Sequence, residues 1–171
     1  DIYSSVTAGI GALKGPLHGG ANEAVMNMLL EIGHPDRAEA WLRDAFKSKK
    51  VVMGFGHRVY KWGDSRVPTM RGCLEDLALW KKDRKWIEIE DVLENIMAEE
   101  KKIYPNLDYP AGPAYYMMGF DIDMYTPIFV MSRITGWTAH CMEQNAANRL
   151  IRPLSSYTGV KQRRGKPIAK R

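Results

Sequence analysis

The sequence predicts an all-α fold of seven or eight helices. Apolar residues recur at three- and four-residue steps through most of the chain, and the alternation typical of half-buried strands is nearly absent. Prolines and glycines fall between these periodic segments, where helices usually begin and end. The chain has 171 residues, 45% of them hydrophobic, which is enough for the packed core of one domain or of unequal parts of two.

The first two predicted helices follow one another closely. Residues 22–32 place their apolar side chains on one face and end at Gly33, which is suited to the left-handed conformation of a helix C-cap. The next helix opens at His34 and carries an apolar face as far as Phe46. We therefore expect His34 to have a structural role at the start of this helix.

The middle of the chain alternates a loop with two further helices. Residues 51–61 are too rich in glycine for a helix and are predicted to form a loop or a short extended piece. A helix is predicted from Pro68 to about residues 81–83, and another over residues 86–102, with a charged outer face. Pro105 ends the latter, because proline disfavours helix at the residue before it.

Residues 105–113 contain three prolines and a glycine and are predicted to be a turn-rich connector that carries Asp108. A short helix over residues 114–118 follows. A long apolar helix then begins at Pro127 and runs to about residue 148.

The charge is unevenly distributed. The net charge is +5, but residues 161–171 hold six basic residues and no acidic ones, so residues 1–160 carry 19 basic against 20 acidic side chains. This basic tail is a disordered end, a surface for polyanions or part of a phosphate site. It contains no interleaved aromatic residues, so a nucleic-acid partner is not favoured.

The sequence contains no membrane-spanning segment, because its most apolar region, residues 124–142, is interrupted by Arg133. No secretory signal opens the chain at Asp1, and we interpret the sequence as a fragment or a processed product. Cys73 and Cys141 are expected to be buried free thiols in a reducing compartment, with a disulfide as the alternative. We therefore expect a cytoplasmic protein.

The run Gly-Phe-Gly-His-Arg-Val-Tyr-Lys at residues 54–61 carries the clearest chemical signal. Its two glycines allow the backbone to approach a ligand closely or to adopt positive φ, and His57 can donate a proton near neutral pH. Val59 occupies the position of the third glycine of a dinucleotide-binding motif, and no strand precedes the run. A dinucleotide site is therefore excluded.

Two other segments offer reactive side chains. His18 is either a neutral hydrogen-bond donor near the N-terminus of the first predicted helix or a turn residue that caps it. Asp108 is either a base made stronger by apolar neighbours or an ordinary Asx-turn residue. Together with His57 they could also form a two-histidine, one-carboxylate metal site, although no pair has helical ligand spacing.

Arg133 interrupts an apolar helix, and a buried guanidinium needs an anionic partner. That partner is either a structural carboxylate such as Glu143 or the carboxylate of a substrate. His140 is expected to lie on the buried face of the same helix.

Four segments, taken together, resemble the citrate synthase family. Their order and spacing match that family from residue 1 to about residue 160. They are Gly-Pro-Leu-His-Gly-Gly-Ala-Asn-Glu-Ala at 15–24, residues 54–61 with Asp-Ser-Arg at 64–66, Tyr-Pro-Asn-Leu-Asp at 104–108, and Ser-Arg-Ile-Thr-Gly-Trp-Thr-Ala-His at 132–140.

The resemblance implies an all-α homodimer in which a small domain closes over the substrates held by a large domain. It assigns residues 20–119 to the small domain, and residues 1–19 and 120–160 to the large domain, followed by the basic tail at 161–171. Members of the family are more than twice this length, so we expect the N-terminal half to be missing from this sequence and the fragment alone to be inactive.

The resemblance also implies a reaction, namely condensation of an acyl-CoA with oxaloacetate followed by thioester hydrolysis, without metal or cofactor. It makes Asp108 the base that removes a proton beside the thioester carbonyl. His18 is then the donor to that carbonyl oxygen, and His57 polarises the ketone of oxaloacetate.

Further residues acquire binding roles only through the resemblance. Besides His57, the residues implied to hold the carboxylates of oxaloacetate are Arg66, Arg133 and Arg152, and Arg152 would reach the site of the partner subunit. The residues implied to bind CoA are Val52, Met53, Gly54, Phe55, Gly56, Lys61 and Asn106.

The sequence of residues 112–120 and 132–137 resembles 2-methylcitrate synthases, which use propionyl-CoA, more closely. We expect both acetyl-CoA and propionyl-CoA to be used, because one methylene provides only about 1–3 kcal/mol of discrimination. Three alternatives remain: an enzyme specific for propionyl-CoA, a non-catalytic binding module, and a helical nucleic-acid binder that uses the basic tail.

Overall fold

The computed structural model describes residues 1–15, 17–160 and 165–170, and in this part of the chain it confirms the all-α prediction with seven α-helices. One isolated β-bridge, between Phe55 and Pro105, is the only strand-like pairing among these residues. The helices are α1 (Ile2–Leu13), α2 (Ala21–Ile32), α3 (Pro35–Ser48), α4 (Val67–Lys81), α5 (Lys85–Ile96), α6 (Asp108–Met118) and α7 (Tyr125–Ala146). A π-helical turn, Met97–Lys101, extends α5, and 3₁₀ turns occupy Ile122–Met124 and Ile168–Lys170.

Helix α2 lies at the centre of the core. Its side chains Val25, Met26, Leu29 and Ile32 are all fully buried, and α2 packs against α3, α5, α6 and α7. Each such apolar side chain contributes on the order of 2 kcal/mol when it is removed from water. The helix ends at Gly33 in the left-handed conformation, as its sequence predicts.

Helix α1 was not predicted. It is rich in small residues, which give it little apolar periodicity, but the Asp1 carboxylate caps it by accepting a hydrogen bond from the Ser4 amide at 2.9 Å. The small residues allow α1 to lie close to α7, where a Cβ added at Gly9 would stand 3.2 Å from the ring of Trp137. Its stability therefore comes from tertiary packing, which periodicity alone does not report.

The predicted connector at residues 105–113 is wrong over most of its length, because α6 begins at Asp108 rather than at residue 114. Side-chain acceptors make this early start possible. The Leu107 amide donates to Asp64 at 3.2 Å, and the Asp108 amide donates to Asn106 at 3.0 Å. Pro110 is tolerated because amides in the first turn of a helix have no partner inside it.

Other local predictions have mixed outcomes. His34 caps α3 by accepting a hydrogen bond from the Asp36 amide, which confirms its structural role. Both cysteines are free thiols, but the expectation of burial is wrong: Cys73 is exposed and Cys141 is half-buried. Cys73 lies on an exposed side of α4.

Within the described residues, none of the helices combines the length and the apolar character that a membrane crossing requires. The division at residues 19/20 and 119/120 stays a prediction. Of the predicted basic tail, residues 161–164 and 171 lie outside the described residues.

The loop between α3 and α4 carries residues of the candidate site. We call its residues 51–61 the glycine loop. It is paired with the segment before α6 through two backbone hydrogen bonds of 2.8 Å, from Gly56 to Tyr104 and from Asn106 to Gly54. Gly54 has φ +84°, and a Cβ there would stand 2.7 Å from Tyr109 and 2.9 Å from Val25. Only glycine fits this position.

We expect Gly54→Ala to lower the free energy of unfolding by about 2–4 kcal/mol, because the substitution combines positive-φ strain with overpacking. Gly72→Ala is the matched control: Gly72 lies inside α4 with no atom within 4 Å of the added methyl group. The control is expected to gain about 0.5–1 kcal/mol. Urea denaturation would measure both, and equal effects of the two substitutions would contradict the packing argument.

Candidate active site

A cleft of about 460 Å³ lies where the glycine loop, the turn before α2, the start of α6 and helix α7 meet. Five of the titratable or charged side chains predicted from the sequence line this single cleft, although they come from positions spread over more than a hundred residues. They are His18, His57, Arg66, Asp108 and Arg133. Convergence of these residues is the main geometric finding.

The pairing of the glycine loop with the segment before α6 brings His57 and Asp108 to the same cleft. Each follows the paired segment by one or two residues, His57 after Gly56 and Asp108 after Asn106. The side chain of Asn106 adds a third link by donating to the Gly56 carbonyl oxygen at 2.9 Å. The separation of the two reactive segments is therefore fixed by backbone hydrogen bonds.

The imidazole of His57 is held in one tautomer. Its Nδ1 accepts hydrogen bonds from the amides of Val59 at 3.0 Å and Tyr60 at 3.1 Å. A ring nitrogen that accepts two amide protons carries no proton itself, so in the neutral ring Nε2 carries the proton. His57 can therefore donate a hydrogen bond through Nε2.

Asp108 is the first residue of α6 and is half-buried at the cleft. Burial raises the pKa of its carboxyl to about 6, against the opposing influence of Arg66 and with a further small rise from Asp64. No described residue donates a hydrogen bond to this carboxylate. The Asx-turn role considered for Asp108 belongs instead to Asn106, whose side chain accepts from the Asp108 amide. A carboxylate with these properties is suited to act as a base near neutral pH.

His18 lies three residues before α2, and its carbonyl oxygen accepts from the Ala21 amide at 3.0 Å. Its side chain is exposed at the cleft and makes no hydrogen bond with the described residues, so the alternative of a capping histidine is wrong.

Arg66 is held by a carboxylate that sequence reasoning did not assign to the site. Asp64 is buried and accepts from the Arg66 side chain through Nε at 2.8 Å and Nη2 at 2.6 Å. This bond lowers the pKa of the Asp64 carboxyl, while the carboxylate raises the pKa of Arg66. The i, i+2 spacing of Asp and Arg in the loop before α4 was the available signal.

Arg133 is half-buried on α7, with its guanidinium carbon 4.7 Å from the centre of the Phe129 ring. Among the described residues it has no carboxylate partner. The Glu143 carboxylate proposed for it lies instead 2.9 Å from His140. His140 is exposed, so the prediction of a buried histidine is wrong. Phe129, one helical turn before Arg133, also lines the cleft.

The residues implied to bind CoA divide into two groups. The segment Val52–Gly56 and Asn106 line the cleft. Lys61 does not line it, and its Nζ donates to the His57 carbonyl oxygen at 3.3 Å. Arg152, predicted to contact a second subunit, lies exposed beyond the end of α7 and does not line the cleft.

In the described part of the chain, no group of three His, Cys, Asp or Glu side chains is arranged to hold a metal ion. The two imidazoles and the carboxylate share the cleft without forming such a group. Chemically, the cleft offers a base, two hydrogen-bond donors and three guanidinium groups, which suits proton removal beside a carbonyl and binding of an anion.

Comparison with known proteins agrees with this chemistry. The model of the family described as "Citrate synthase, C-terminal domain" matches residues 1–154. A citrate synthase of Mycolicibacterium smegmatis is 61% identical over 95% of this chain and 44% of its own length. A 2-methylcitrate synthase of Mycobacterium tuberculosis is 62% identical over 95% of this chain and 42% of its own.

The chain is also similar to a solved structure. Citrate synthase from Thermoplasma acidophilum, in a ternary complex with carboxymethyl coenzyme A and oxaloacetate, has a TM-score of 0.89 at 44% identity, over 99% of this chain and 46% of that chain. The chain spans less than half the length of the curated relatives it matches. On the match of nearly its whole length, the chain belongs to the citrate synthase family.

Proposed function

We propose that the protein containing this sequence condenses a short acyl-CoA with oxaloacetate and hydrolyses the resulting thioester, giving citrate or 2-methylcitrate. The observation that carries the proposal is the presence of His18, His57 and Asp108 in one cleft with the guanidinium groups of Arg66 and Arg133. A weak carbon acid needs a base and an oxygen-directed donor held together, and this cleft contains both.

In the proposed first step, the carboxylate of Asp108 removes a proton from the carbon beside the thioester carbonyl. Its raised pKa makes it a stronger base than an exposed aspartate. His18 donates a hydrogen bond to the thioester carbonyl oxygen, where negative charge develops. A neutral imidazole suits this role, because it stabilises the enol without giving up its proton completely.

In the second step, the enol carbon attacks the ketone carbon of oxaloacetate. His57 donates a hydrogen bond from Nε2 to the ketone oxygen, as its fixed tautomer allows. That oxygen becomes the hydroxyl group of the product by taking up the one proton that Asp108 removed, so both side chains return to their starting protonation states. Water then cleaves the thioester and releases the tricarboxylic acid and the CoA thiol. All proton transfers use side chains, so the reaction as proposed requires no metal or cofactor.

The substrates would be oriented by charge and by backbone. Arg66 and Arg133 are proposed to bind the carboxylates of oxaloacetate, since guanidinium groups form bidentate pairs with carboxylates. The main chain of Val52–Gly56 and the side chain of Asn106 are proposed to contact CoA, with Lys61 near its phosphates. A homodimer in which Arg152 reaches the partner's site is part of the same proposal, as is a cytoplasmic location.

The acyl group of the proposed substrate is acetyl or propionyl. The relatives at 61% and 62% identity carry the two different names, citrate synthase and 2-methylcitrate synthase. A pocket distinguishes one methylene by only about 1–3 kcal/mol, so we propose that both thioesters are accepted.

A thiol-release assay on the full-length protein encoded by the gene tests this function directly. We expect oxaloacetate-dependent CoA release from both acetyl-CoA and propionyl-CoA, with kcat/KM values within about 200-fold of each other. Turnover of only one thioester would remove dual specificity, and no turnover of either would refute the condensing function.

Asp108→Asn is expected to reduce kcat by at least about 100-fold while leaving oxaloacetate affinity nearly unchanged, because the variant loses only the base. The matched control is Asp76→Asn, an exposed aspartate on α4 outside the cleft. In the wild type, kcat should fall about tenfold per pH unit below about pH 6, as the Asp108 carboxyl becomes protonated. Normal turnover by Asp108→Asn would contradict the assignment.

The same variant should be more stable than the wild type at pH 7–8. The folded pKa of Asp108, about 6, lies above its ordinary value of 3.8, so ionisation in the folded state costs stability at high pH. The gain from Asn is on the order of 1–2 kcal/mol and should disappear as the pH falls from 6 to 4. Thermal denaturation across this pH range would measure it.

Arg133→Leu is expected to weaken oxaloacetate binding by about tenfold or more, because a carboxylate in the cleft would lose its guanidinium partner. Arg37→Leu on the exposed face of α3 is the control for loss of one positive charge. Isothermal titration calorimetry with oxaloacetate would measure both affinities. An unchanged affinity for Arg133→Leu would show that this guanidinium does not contact the substrate.

A further inference from the structure

Asp64 is a buried carboxylate whose four hydrogen bonds reach two separate parts of the cleft wall. Its Oδ1 accepts from the Arg66 amide at 3.0 Å and from Arg66 Nε at 2.8 Å. Its Oδ2 accepts from Arg66 Nη2 at 2.6 Å and from the Leu107 amide at 3.2 Å. The side chain of Asp64 has no exposed surface, whereas that of Arg66 is 44% exposed at the cleft.

These contacts join segments that are distant in the sequence. Arg66 precedes the first residue of α4, whereas Leu107 precedes Asp108 at the first residue of α6. A planar carboxylate fixes the direction of a guanidinium when it binds two of its nitrogens. Oδ2 of Asp64 also accepts a hydrogen bond from the Leu107 amide, next to Asp108. One carboxylate therefore fixes the position of Arg66 relative to the backbone of Asp108.

We infer that Asp64 is a positioning residue that holds the Arg66 guanidinium and the start of α6 in a fixed relation across the cleft. Through Arg66 it orients the proposed oxaloacetate site, and through Leu107 it fixes the backbone of the proposed base. The assignment of these roles rests on the proposed function, whereas the hydrogen bonds themselves do not.

A buried aspartate could also stabilise its loop without any influence on the site. The two roles differ in their effect on Asp108, because the charges of Asp64 and Arg66 act on its pKa in opposite directions. Asp64 raises the pKa of Asp108 and Arg66 lowers it. The other charged or titratable groups that line this cleft or influence Asp108 are His18, His57, Arg58, Tyr115 and Arg133.

The test uses two substitutions within the same ion pair, made in the full-length protein. Asp64→Asn removes the negative charge and should lower the pKa of Asp108 by about 0.5–1 unit. Arg66→Gln removes the positive charge and should raise that pKa by a similar amount. Loosening of the loop alone would shift both variants in the same direction. Carbon-13 carboxyl NMR reads the titration, with the Asp108 signal assigned by its loss in Asp108→Asn.

Steady-state kinetics provides the second measurement. We expect Asp64→Asn to raise the KM for oxaloacetate by about tenfold or more, with the KM for acyl-CoA changed by less than about twofold. The matched control is Asp91→Asn, which removes a half-exposed carboxylate from another arginine, Arg71, outside the cleft. This control is expected to change neither constant nor the titration of Asp108.

Opposite pKa shifts together with a selective rise in the oxaloacetate KM would support the inference. An unchanged KM and an unmoved Asp108 titration in Asp64→Asn would overturn it, as would shifts of the same sign in both variants. If Asp64→Asn fails to fold, Asp64→Glu replaces it, because it keeps the charge but displaces the carboxylate from Arg66 and Leu107; an unchanged oxaloacetate KM in Asp64→Glu would overturn the inference. If the wild type releases no CoA, the proposed function fails, and the NMR titration still decides the role of Asp64.

Discussion

The structure of the cleft depends on one short pairing between distant segments. The glycine loop and the segment before α6 exchange two backbone hydrogen bonds around the Phe55–Pro105 bridge. The pairing is possible because Gly54 has positive φ and no Cβ, which lets the loop lie directly on Tyr109 and Val25 of the core. His57 and Asp108 directly follow the two paired segments. The packing of the glycine loop against the core therefore sets the positions of both residues.

The charged side chains of the cleft differ in whether another described side chain is paired with them. Arg66 is already paired with the buried Asp64, so its position is fixed before any ligand arrives. Arg133 is supported only by the ring of Phe129 and has no carboxylate partner among the described residues. Asp108 is half-buried, no described residue donates a hydrogen bond to its carboxylate, and burial raises its pKa. Pairing therefore provides geometry at Arg66, whereas the absence of pairing leaves Arg133 free to bind an anion and Asp108 free to accept a proton.

The sequence was sufficient for most of the fold and for many of the residues that line the cleft. Helices α2 to α5 follow from apolar periodicity with proline and glycine at their ends, and the reactive residues stand in short motifs bounded by the same residues. It was insufficient where tertiary contacts override local preference. Helix α1 is stabilised by packing against α7, and α6 begins early because Asp64 and Asn106 accept its first amides. The role of Asp64 requires a partner 43 positions away, which no local pattern reveals.

Core contacts of the residue that follows Asp108 explain how Asp108 is positioned although no described residue donates a hydrogen bond to its carboxylate. Tyr109, the next residue, is fully buried, with its ring 4.5 Å from that of Phe55 and its hydroxyl donating to the Glu90 carbonyl oxygen at 2.9 Å. The Glu90 side chain is itself buried, and burial raises its pKa well above the usual range against the pull of Arg71. These contacts of Tyr109 with the core fix the backbone at the start of α6. The backbone of Asp108 is therefore held in place although no described residue donates a hydrogen bond to its carboxylate, which stays basic.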